Sequence, residues 1–242
     1  MLVCENINKC FATEQEQHVV AKEVHLSVAD GEFLSILGQS GCGKSTLLRM
    51  LGGFLRPDSG TVLLDGQTIT KPSTDMLMVF QSFDQLFPWK TVEGNLLFAL
   101  KKANPNLPKA QAKMRVEQCL AKMGLSEFAR SFPYALSGGM KQRAALARAL
   151  ALRPKVLLMD EPFSSLDCFT RKEAQQILLQ LWKETGVTVI FVTHDIDEAV
   201  MLSTQIAVYS KAQLGITEVV KVEGEKAAIS AYLHRVLEGV RV

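Results

Sequence analysis

The sequence has no pair of cysteines with two residues between them, although it contains five cysteines among 242 residues. This spacing favours neither a zinc site nor a disulfide framework, and scattered unpaired thiols are typical of a reducing compartment. No apolar run approaches the roughly 18 residues that a membrane-spanning helix needs. The first residues also lack the charged and apolar regions of a secretory signal. We therefore expect a cytoplasmic protein without a membrane span of its own.

A strong charge of either sign is also missing. The formal net charge is +2, which gives no electrostatic argument for a nucleic-acid partner. Hydrophobic residues make up 48% of the chain and charged residues 21%, as in an ordinary globular protein. A chain of 242 residues is long enough to bury a substantial core in one large or two small domains.

Short apolar segments alternate with segments of helical periodicity along the chain. Where strands alternate with helices in this way, the expected architecture is an α/β fold with a parallel sheet. From about Pro88 to Arg153 the pattern is mainly helical, and beyond Gly224 apolar residues at helical spacing predict a terminal helix. We predict strands at 2–8, 19–28, 32–37, 61–64, 76–80, 156–159 and 188–192, and helices at 46–54, 108–123 and 171–184.

The most informative segment fits the phosphate-loop pattern of glycine, four residues, then glycine, lysine and serine. It stands between an apolar strand and a helical pattern, which makes a chance glycine-rich turn a poor alternative. Glycines let successive N–H groups point at phosphate oxygens, and the following helix adds the positive end of its dipole. We predict that Lys44 reaches the β- and γ-phosphates and that Ser45 holds Mg²⁺. The predicted phosphate-binding residues are Gly38, Gln39, Ser40, Gly41, Cys42, Gly43, Lys44, Ser45 and Thr46.

Two acids, Asp160 and Glu161, end an apolar strand that begins at Val156. In phosphate-loop proteins such a strand delivers an aspartate beside Mg²⁺. We expect Asp160 to act through the metal or its water, and Glu161 to polarise the attacking water. Two solvated acids at a strand end would be a competitive interpretation of this segment alone, but the phosphate loop makes it the weaker one.

A second glycine-rich segment, 136–143, has the sequence Leu-Ser-Gly-Gly-Met-Lys-Gln-Arg and begins an apolar helix. Ser137 can cap that helix, and the N–H groups of Gly138 and Gly139 at its N-terminus form a second anion site. Here the chain resembles the ATP-binding cassette family, whose signature is similar to LSGGQ, with Met140 in place of the common glutamine. The resemblance implies that this site faces the γ-phosphate of ATP bound to a neighbouring subunit.

The resemblance covers nearly the whole chain, because further motifs follow in the family's order. It implies that Gln81 senses Mg²⁺ and the partner, that 164–167 is the D-loop crossing the dimer interface, and that His194 reaches the γ-phosphate. Phe11 falls where the family places an aromatic ring that stacks on adenine, although this residue could equally belong to the core.

The resemblance also implies an architecture: an α/β phosphate-loop ATPase core with a parallel sheet, an antiparallel β subdomain and an inserted α-helical subdomain. We therefore expect a single domain over residues 1–242. Its core and β subdomain take residues 1–87 and 154–223, its helical subdomain with the signature takes 88–153, and its terminal helix takes 224–242.

The expected activity is ATP hydrolysis by a pair of cassettes, formed with a second copy or a homologous subunit. The two cassettes pair head to tail, so that each ATP with its Mg²⁺ lies between one phosphate loop and the opposite signature. ATP closes the dimer and hydrolysis opens it. The residues assigned to catalysis are Glu161, His194, Gln81 and Lys44, and those around the metal are Ser45, Gln81 and Asp160.

If the protein functions in transport, its ATP-driven closure must act on a separate membrane permease. The segment 86–92 resembles one in cassettes of the nitrate/sulfonate/taurine importer group, which implies import of small anions or organic molecules. It also implies a peripheral position on the inner face of the cell membrane and an indirect link to a substrate-binding protein. Residues 204–206 and 211–221 depart from that group. The alternative is a soluble cassette ATPase of an iron–sulfur assembly scaffold, or one of a lipid-transfer or export complex.

Three features leave alternatives open. Phe87 and Trp89 are suitable exposed anchors for the permease, but Trp89 could equally pack inside the helical subdomain. Between residues 101 and 122 six basic residues stand against one acid, which favours a solvated helix face over a membrane- or partner-facing patch. Cys42 is either a small filler or a reactive thiol at a helix N-terminus.

Overall fold

The computed structural model describes residues 1–12, 17–82 and 85–238. Two short 3-10 turns, Ser126–Phe128 and Pro133–Ala135, lie in the connection that leads to the fourth helix. The strands and helices of the described part are, in order, β1 (Leu2–Ala12), β2 (Gln17–Val28), β3 (Phe33–Leu37), α1 (Lys44–Leu51), β4 (Ser59–Leu64), β5 (Gln67–Thr68), β6 (Met76–Val79), α2 (Val92–Ala103), α3 (Lys109–Lys122), α4 (Gly138–Ala151), β7 (Val156–Asp160), α5 (Cys168–Thr185), β8 (Thr188–Thr193), α6 (Ile196–Leu202), β9 (Gln205–Ser210), β10 (Gly215–Lys221) and α7 (Lys226–Leu237).

The larger sheet has the strand order β10-β9-β3-β8-β7-β6. Strands β9, β3, β8, β7 and β6 run parallel to one another, and β10 pairs antiparallel with β9. Every residue of β3, β7 and β8 is buried, which explains why these strands are mostly apolar in the sequence. Their carboxyl ends meet at one edge of the sheet, where open α/β sheets bind ligands.

Each face of the larger sheet has its own core. Along β3, Phe33 packs with the helices of one face, whereas Leu34 and Ile36 pack with α1 and the smaller sheet. The same alternation occurs in β8, where Phe191 faces the first cluster and Ile190 the second. This alternation is the two-residue period of a strand, now buried on both sides.

The smaller sheet is antiparallel, with the order β2-β1-β4-β5. It is tied to the larger sheet at the β9–β10 hairpin, where the Lys22 N–H donates to the carbonyl oxygen of Leu214 at 2.9 Å. Close by, the Tyr209 hydroxyl donates to the Val20 carbonyl oxygen at 2.6 Å. These bonds hold β2 beside the loop that leaves β3.

The helices α2, α3 and α4 form an insertion between β6 and β7, packed through Leu96, Val116 and Ala145. This confirms the predicted α/β fold with an antiparallel β subdomain and an inserted helical subdomain. None of the described helices is long and apolar enough to cross a membrane.

Element boundaries and the second half of the chain show where prediction fell short. The helix predicted at 46–54 begins earlier, at Lys44, and ends at Leu51 before a pair of glycines. Helix α6 and strands β9 and β10 were not predicted. In β10 buried or half-buried residues alternate with exposed ones, as expected for an edge strand, and its charged residues obscured the pattern. The terminal helix is confirmed as α7, and residues 239–242 of that prediction lie outside the described residues.

Candidate functional site

The loop between β3 and α1 is closely packed and leaves amides free at its end. Gly43 has a φ of +114°, and a Cβ there would lie 2.8 Å from the Val20 carbonyl oxygen, so a side chain does not fit without strain. A Cβ on Gly38 would lie 2.5 Å from the carbonyl oxygen of Tyr209. Among the described residues, the N–H groups at 43–45 donate no backbone hydrogen bond. The loop therefore presents unpaired donors at a helix N-terminus, as an anion site requires.

The Lys44 ammonium lies over this loop and is almost fully buried, with 3% of the side chain exposed. Its Nζ donates to the carbonyl oxygens of Gly38 at 2.8 Å and Gln39 at 2.9 Å. The buried Sγ of Cys42 lies 4.0 Å from the same Nζ, which fits the interpretation of Cys42 as a filler. The cation is thus held by the same loop whose end presents the free amides.

Ser45 and Asp160 join α1 to the end of β7. The Ser45 hydroxyl donates to Asp160 Oδ1 at 2.7 Å. Burial of Asp160, which is 4% exposed, raises the pKa of its carboxyl, and the bond from Ser45 opposes that rise. A hydroxyl and a single carboxylate fit Mg²⁺, which is usually held by one or two carboxylates together with substrate phosphates and water.

Glu161 stands at the end of β7 with a φ of +42°, which is uncommon for a residue other than glycine. Its N–H donates to the Val192 carbonyl oxygen at 3.1 Å and so fixes the strand end. Its carboxylate has one oxygen 3.2 Å from Nδ1 of His194 and the other 3.8 Å from Nζ of Lys44. The fold therefore brings together a lysine, a glutamate and a histidine that are far apart in sequence.

Gln81 is exposed and is connected to the D-loop. Its Nε2 donates to the Ser164 hydroxyl at 3.2 Å, and that hydroxyl donates to the Glu161 carbonyl oxygen at 3.0 Å. Among the described contacts, Gln81 has none with Ser45 or Asp160. Its place beside Mg²⁺ stays a prediction, whereas its link to the backbone of Glu161 is a feature of the structure.

The signature segment begins α4. The Ser137 hydroxyl accepts the N–H of Met140 at 3.3 Å, as expected of a helix cap. Gly139 packs against α5 so closely that a Cβ there would lie 2.3 Å from Cγ2 of Thr170. Within the part of the chain that the structure describes, the N–H groups of Gly138 and Gly139 donate no backbone hydrogen bond. This helix start also presents free amides.

Phe11 lies near the end of β1 and is 41% exposed, so the core interpretation of this residue is wrong. Lys9 Nζ lies 5.4 Å from the centroid of its ring and is paired with Asp58 at 2.6 Å. The ring is accessible for stacking, and its contact with adenine stays a prediction.

A family model described as "ABC transporter" matches residues 21–164, which is more than half of the chain. The chain belongs to the ABC transporter family. It is therefore an ATP-binding cassette and an ATPase, as predicted from the order of its motifs.

Curated relatives and a solved structure agree with this assignment. The cassette is 46% identical over 200 residues to the nitrate import ATP-binding protein NrtD of Synechococcus elongatus, covering 83% of this chain and 73% of that one. It is 43% identical over 205 residues to the bicarbonate transport ATP-binding protein CmpD of the same species, covering 85% and 73%. The dimeric post-hydrolysis structure of the cassette MJ0796, bound to ADP and Pi, matches with a TM-score of 0.82 and 33% identity, covering 93% of this chain and 100% of that one.

Sequence reasoning missed Tyr209, which backs the phosphate loop of the cassette. This side chain is 1% exposed, and burial raises the pKa of its hydroxyl. Its backbone carbonyl oxygen fills the space that a side chain at Gly38 would need. The apolar run 206–209 was the available signal, because it resembles the other buried parallel strands.

The aromatic segment before α2 is held by Asn95, a second residue that was missed. Trp89 is 70% exposed, so the interpretation in which it packs inside the helical subdomain is wrong. Phe87 is half-buried, with its ring centroid 5.5 Å from that of Trp89. The fully buried Asn95 accepts the Phe87 N–H at 2.7 Å and donates to three carbonyl oxygens in 87–91. The loop is therefore rigidly supported beneath an exposed tryptophan.

Proposed function

We propose that this cassette is the ATP-hydrolysing subunit of an importer of small anions, with nitrate and bicarbonate as the first candidates. The observation that carries the proposal is the similarity to NrtD and CmpD, which are named for nitrate import and bicarbonate transport. It extends over 83% and 85% of this chain, so it includes the helical subdomain and not only the nucleotide site. An ATPase of an assembly scaffold, or of a lipid-transfer or export complex, is not favoured by these relatives.

In this proposal the triphosphate of ATP binds at the start of α1. The free N–H groups at 43–45 and the Lys44 ammonium bind its β- and γ-phosphates, and Gly38 to Gly41 complete the loop. Ser45, Asp160 and Gln81 would hold Mg²⁺, and the ion would supply charge neutralisation when bound. No covalent intermediate is involved, because catalysis here consists of positioning and charge stabilisation.

Glu161 polarises the attacking water. Its carboxylate is held by Lys44 on one side and His194 on the other, at 3.8 Å and 3.2 Å, which limits its rotation. A carboxylate in this position can accept a proton from water while His194 orients the γ-phosphate. The positive φ of Glu161 is backbone strain of the kind that gathers at functional sites.

The signature segment completes the site of a second cassette. Ser137, Gly138 and Gly139 present donors that face the γ-phosphate of ATP bound to a partner, which is a second copy of this chain or a homologous subunit. The similarity to the dimeric MJ0796 cassette supports this pairing. ATP binding closes the pair and hydrolysis opens it.

The moving pair acts on integral membrane permease subunits at the inner face of the cell membrane. The exposed Trp89 and the adjoining Phe87, on a loop braced by Asn95, are suitable anchors for a permease segment, because aromatic side chains dominate interface hot spots. A substrate-binding protein would select the anion on the other side, so that this chain supplies energy and not selectivity.

The test combines ATP hydrolysis with uptake in one reconstituted complex. The cassette is co-purified with candidate permeases, placed in proteoliposomes, and assayed for ATP-dependent uptake of labelled nitrate, bicarbonate and taurine. We expect uptake of a small inorganic anion. Uptake of taurine alone would contradict the proposal that the substrate is a small inorganic anion. Failure to associate with any permease would overturn the transporter role.

Glu161→Gln is the matched variant in this experiment. It removes the carboxylate that polarises water but keeps the volume of the side chain, and it leaves the phosphate contacts of Lys44 and the loop amides in place. Turnover should therefore fall by about 10²-fold or more, while ATP is still bound. The variant should also trap a dimer with ATP in size-exclusion chromatography. Glu117→Gln, on the exposed face of α3, is the control and should hydrolyse ATP at the parental rate. Hydrolysis by Glu161→Gln at that rate would exclude the assigned role.

A further inference from the structure

The two residues that flank His194, Thr193 and Asp195, are hydrogen-bonded to each other and to Glu198. The Thr193 hydroxyl oxygen accepts the N–H of Asp195 at 3.0 Å, so the two neighbours of His194 are tied directly. The single proton of that hydroxyl is donated to a carboxylate oxygen of Glu198, in a short bond. Asp195 Oδ1 in turn accepts the Glu198 N–H at 3.0 Å. The backbone around His194 is therefore closed into a ring that includes Glu198.

Glu198 is fixed from a third element. It is only 8% exposed, and its second carboxylate oxygen accepts the Gln175 amide of α5 at 2.9 Å. Gln175 is itself buried, with 5% exposed. Burial raises the pKa of the Glu198 carboxyl, and the bonds from Thr193 and Gln175 oppose that rise. A buried carboxylate with one donor on each oxygen has little freedom to move.

The arrangement differs from an ordinary helix cap. In a capping box the glutamate at the third helical position reaches back to the N–H of the cap residue. Here Asp195 caps α6 and Glu198 holds that third position, but its carboxylate reaches the Thr193 hydroxyl, which then accepts the cap N–H. The Glu198 carboxylate is therefore linked through the Thr193 hydroxyl to the residues on both sides of His194. Capping of α6 alone does not require this contact.

Arg171 of α5 extends the same network to the D-loop. Its NH2 group donates to the Leu166 carbonyl oxygen at 3.0 Å, and NH1 lies 4.0 Å from Asp195 Oδ2. The segment that carries His194 and the segment expected to cross the dimer interface are thus held by one helix.

We propose that Glu198 is a positioning residue for His194, acting through the Thr193 hydroxyl and held in place by Gln175. This inference rests on the proposed function, in which His194 orients the γ-phosphate. Glu198 touches no reacting atom, and its effect is to keep the His194 ring at a fixed distance from Glu161.

The first test observes His194 directly in the full chain without nucleotide. The four histidines give four Cε1–Hε1 signals in a carbon-13 NMR spectrum, and a His194→Gln variant identifies the signal of interest. Glu198→Ala and Thr193→Val should shift or broaden that signal, because each opens the ring. Glu198→Gln and Thr193→Ser should leave it near its parental position, since both keep a hydrogen-bonding group in place. His18 and His25, on β2, are internal controls that should not move.

The second test separates turnover from binding. Glu198→Ala and Thr193→Val should lower kcat for ATP at least tenfold and change KM by no more than twofold, whereas the two conservative variants should retain at least a third of kcat. Thr193→Val replaces one hydroxyl by a methyl group, so it gives the answer if thermal melting shows that Glu198→Ala does not fold.

An unchanged His194 signal in folded Glu198→Ala or Thr193→Val would overturn the proposal, and so would an equal loss of kcat in the conservative variants. A displaced His194 signal together with normal hydrolysis by Glu161→Gln would instead contradict the proposed function, and the placement of His194 by Glu198 would stand.

Discussion

The two glycine-rich helix starts of this cassette differ in how far the chain itself completes them. At the start of α1, Lys44 and Ser45 are joined to Asp160 and Glu161 by contacts of 2.7 to 3.8 Å. At the start of α4, the described hydrogen bond of Ser137 lies within its own helix. Free amides at a helix N-terminus bind an anion in either case. They become a catalytic centre only where distant elements bring charged side chains to the same place.

Lys44→Ala should have the largest effect on nucleotide binding, because it removes the buried cation at the complete helix start. Charge-assisted bonds to phosphate are lost, at a cost of about 2–5 kcal/mol. We expect ATP affinity of the isolated subunit to fall by about 10²-fold or more, measured by titration calorimetry. Ser137→Ala is the matched variant at the incomplete start, and the affinity of the subunit should stay within about twofold. Equal losses in both variants would abolish the comparison between the two starts.

ATP turnover should require both helix starts, with the start of α1 supplied by one subunit and the start of α4 by its partner. Ser137→Ala should lower kcat roughly 10- to 100-fold, since removing one preorganised donor at a transition state costs on that order or more. A mixture of Lys44→Ala and Ser137→Ala subunits contains pairs with one intact site, made from the phosphate loop of one subunit and the signature of the other. The mixture should therefore hydrolyse ATP several-fold faster than either variant alone. Activity equal to the average of the two would show that the signature does not act across subunits.

Gly139→Ala tests the packing at the start of α4, the helix start that the chain itself does not complete. The added Cβ would lie 2.3 Å from Cγ2 of Thr170, and such overpacking typically costs about 1–3 kcal/mol. The melting temperature should fall, and Thr170→Ser in the same chain should restore most of it by removing the methyl group. Gly41→Ala is the counterpart at the start of α1, where φ is +74° and no atom of the described residues beyond the adjoining ones lies within 4 Å of the Cβ position. It should show only the backbone cost of about 1 kcal/mol, which Thr170→Ser cannot relieve.

The same contrast explains what could be predicted from the sequence. The phosphate loop, the two acids after Met159 and the signature are local patterns, so they could be recognised in the sequence. The structure brings Ser45 to Asp160 and Lys44 to Glu161, and the roles of these residues stay predictions. The run 206–209 could have indicated the buried strand of Tyr209, but not the role of this residue or of Asn95. Those roles depend on contacts with Val20 and with the 87–91 loop that only the fold creates. The position of Glu198 was equally hidden, since its partner Gln175 is 23 residues away on another helix.

The pH dependence of stability should show the smallest effect, and it sharpens the difference between buried and surface carboxyl groups. The folded-state pKa of Glu198 is raised by burial, with Asp195 adding to the rise and Arg171, Thr193 and Gln175 opposing it. The folded protein then binds more protons than the unfolded chain above about pH 4.3, so this contribution to stability is complete below that pH and is lost as pH rises through the folded pKa.

The Glu198→Gln variant has no carboxyl group at this position, so it does not lose stability in this way as pH rises. The free energy of unfolding of the variant, relative to the parent, should therefore rise between about pH 4.5 and pH 8, with a slope of at most about 1.4 kcal/mol per pH unit. Urea denaturation at several pH values measures it. Asp65→Asn is the control, because Lys155 lowers the pKa of the exposed Asp65 to about 2. Its contribution is lost only as pH falls below about 3.9, and the Met1 amine that it also contacts titrates from about pH 8 upward. Its difference from the parent should therefore be flat between about pH 4.5 and pH 7. A flat difference for Glu198→Gln as well would mean that burial of Glu198 does not raise its pKa in solution.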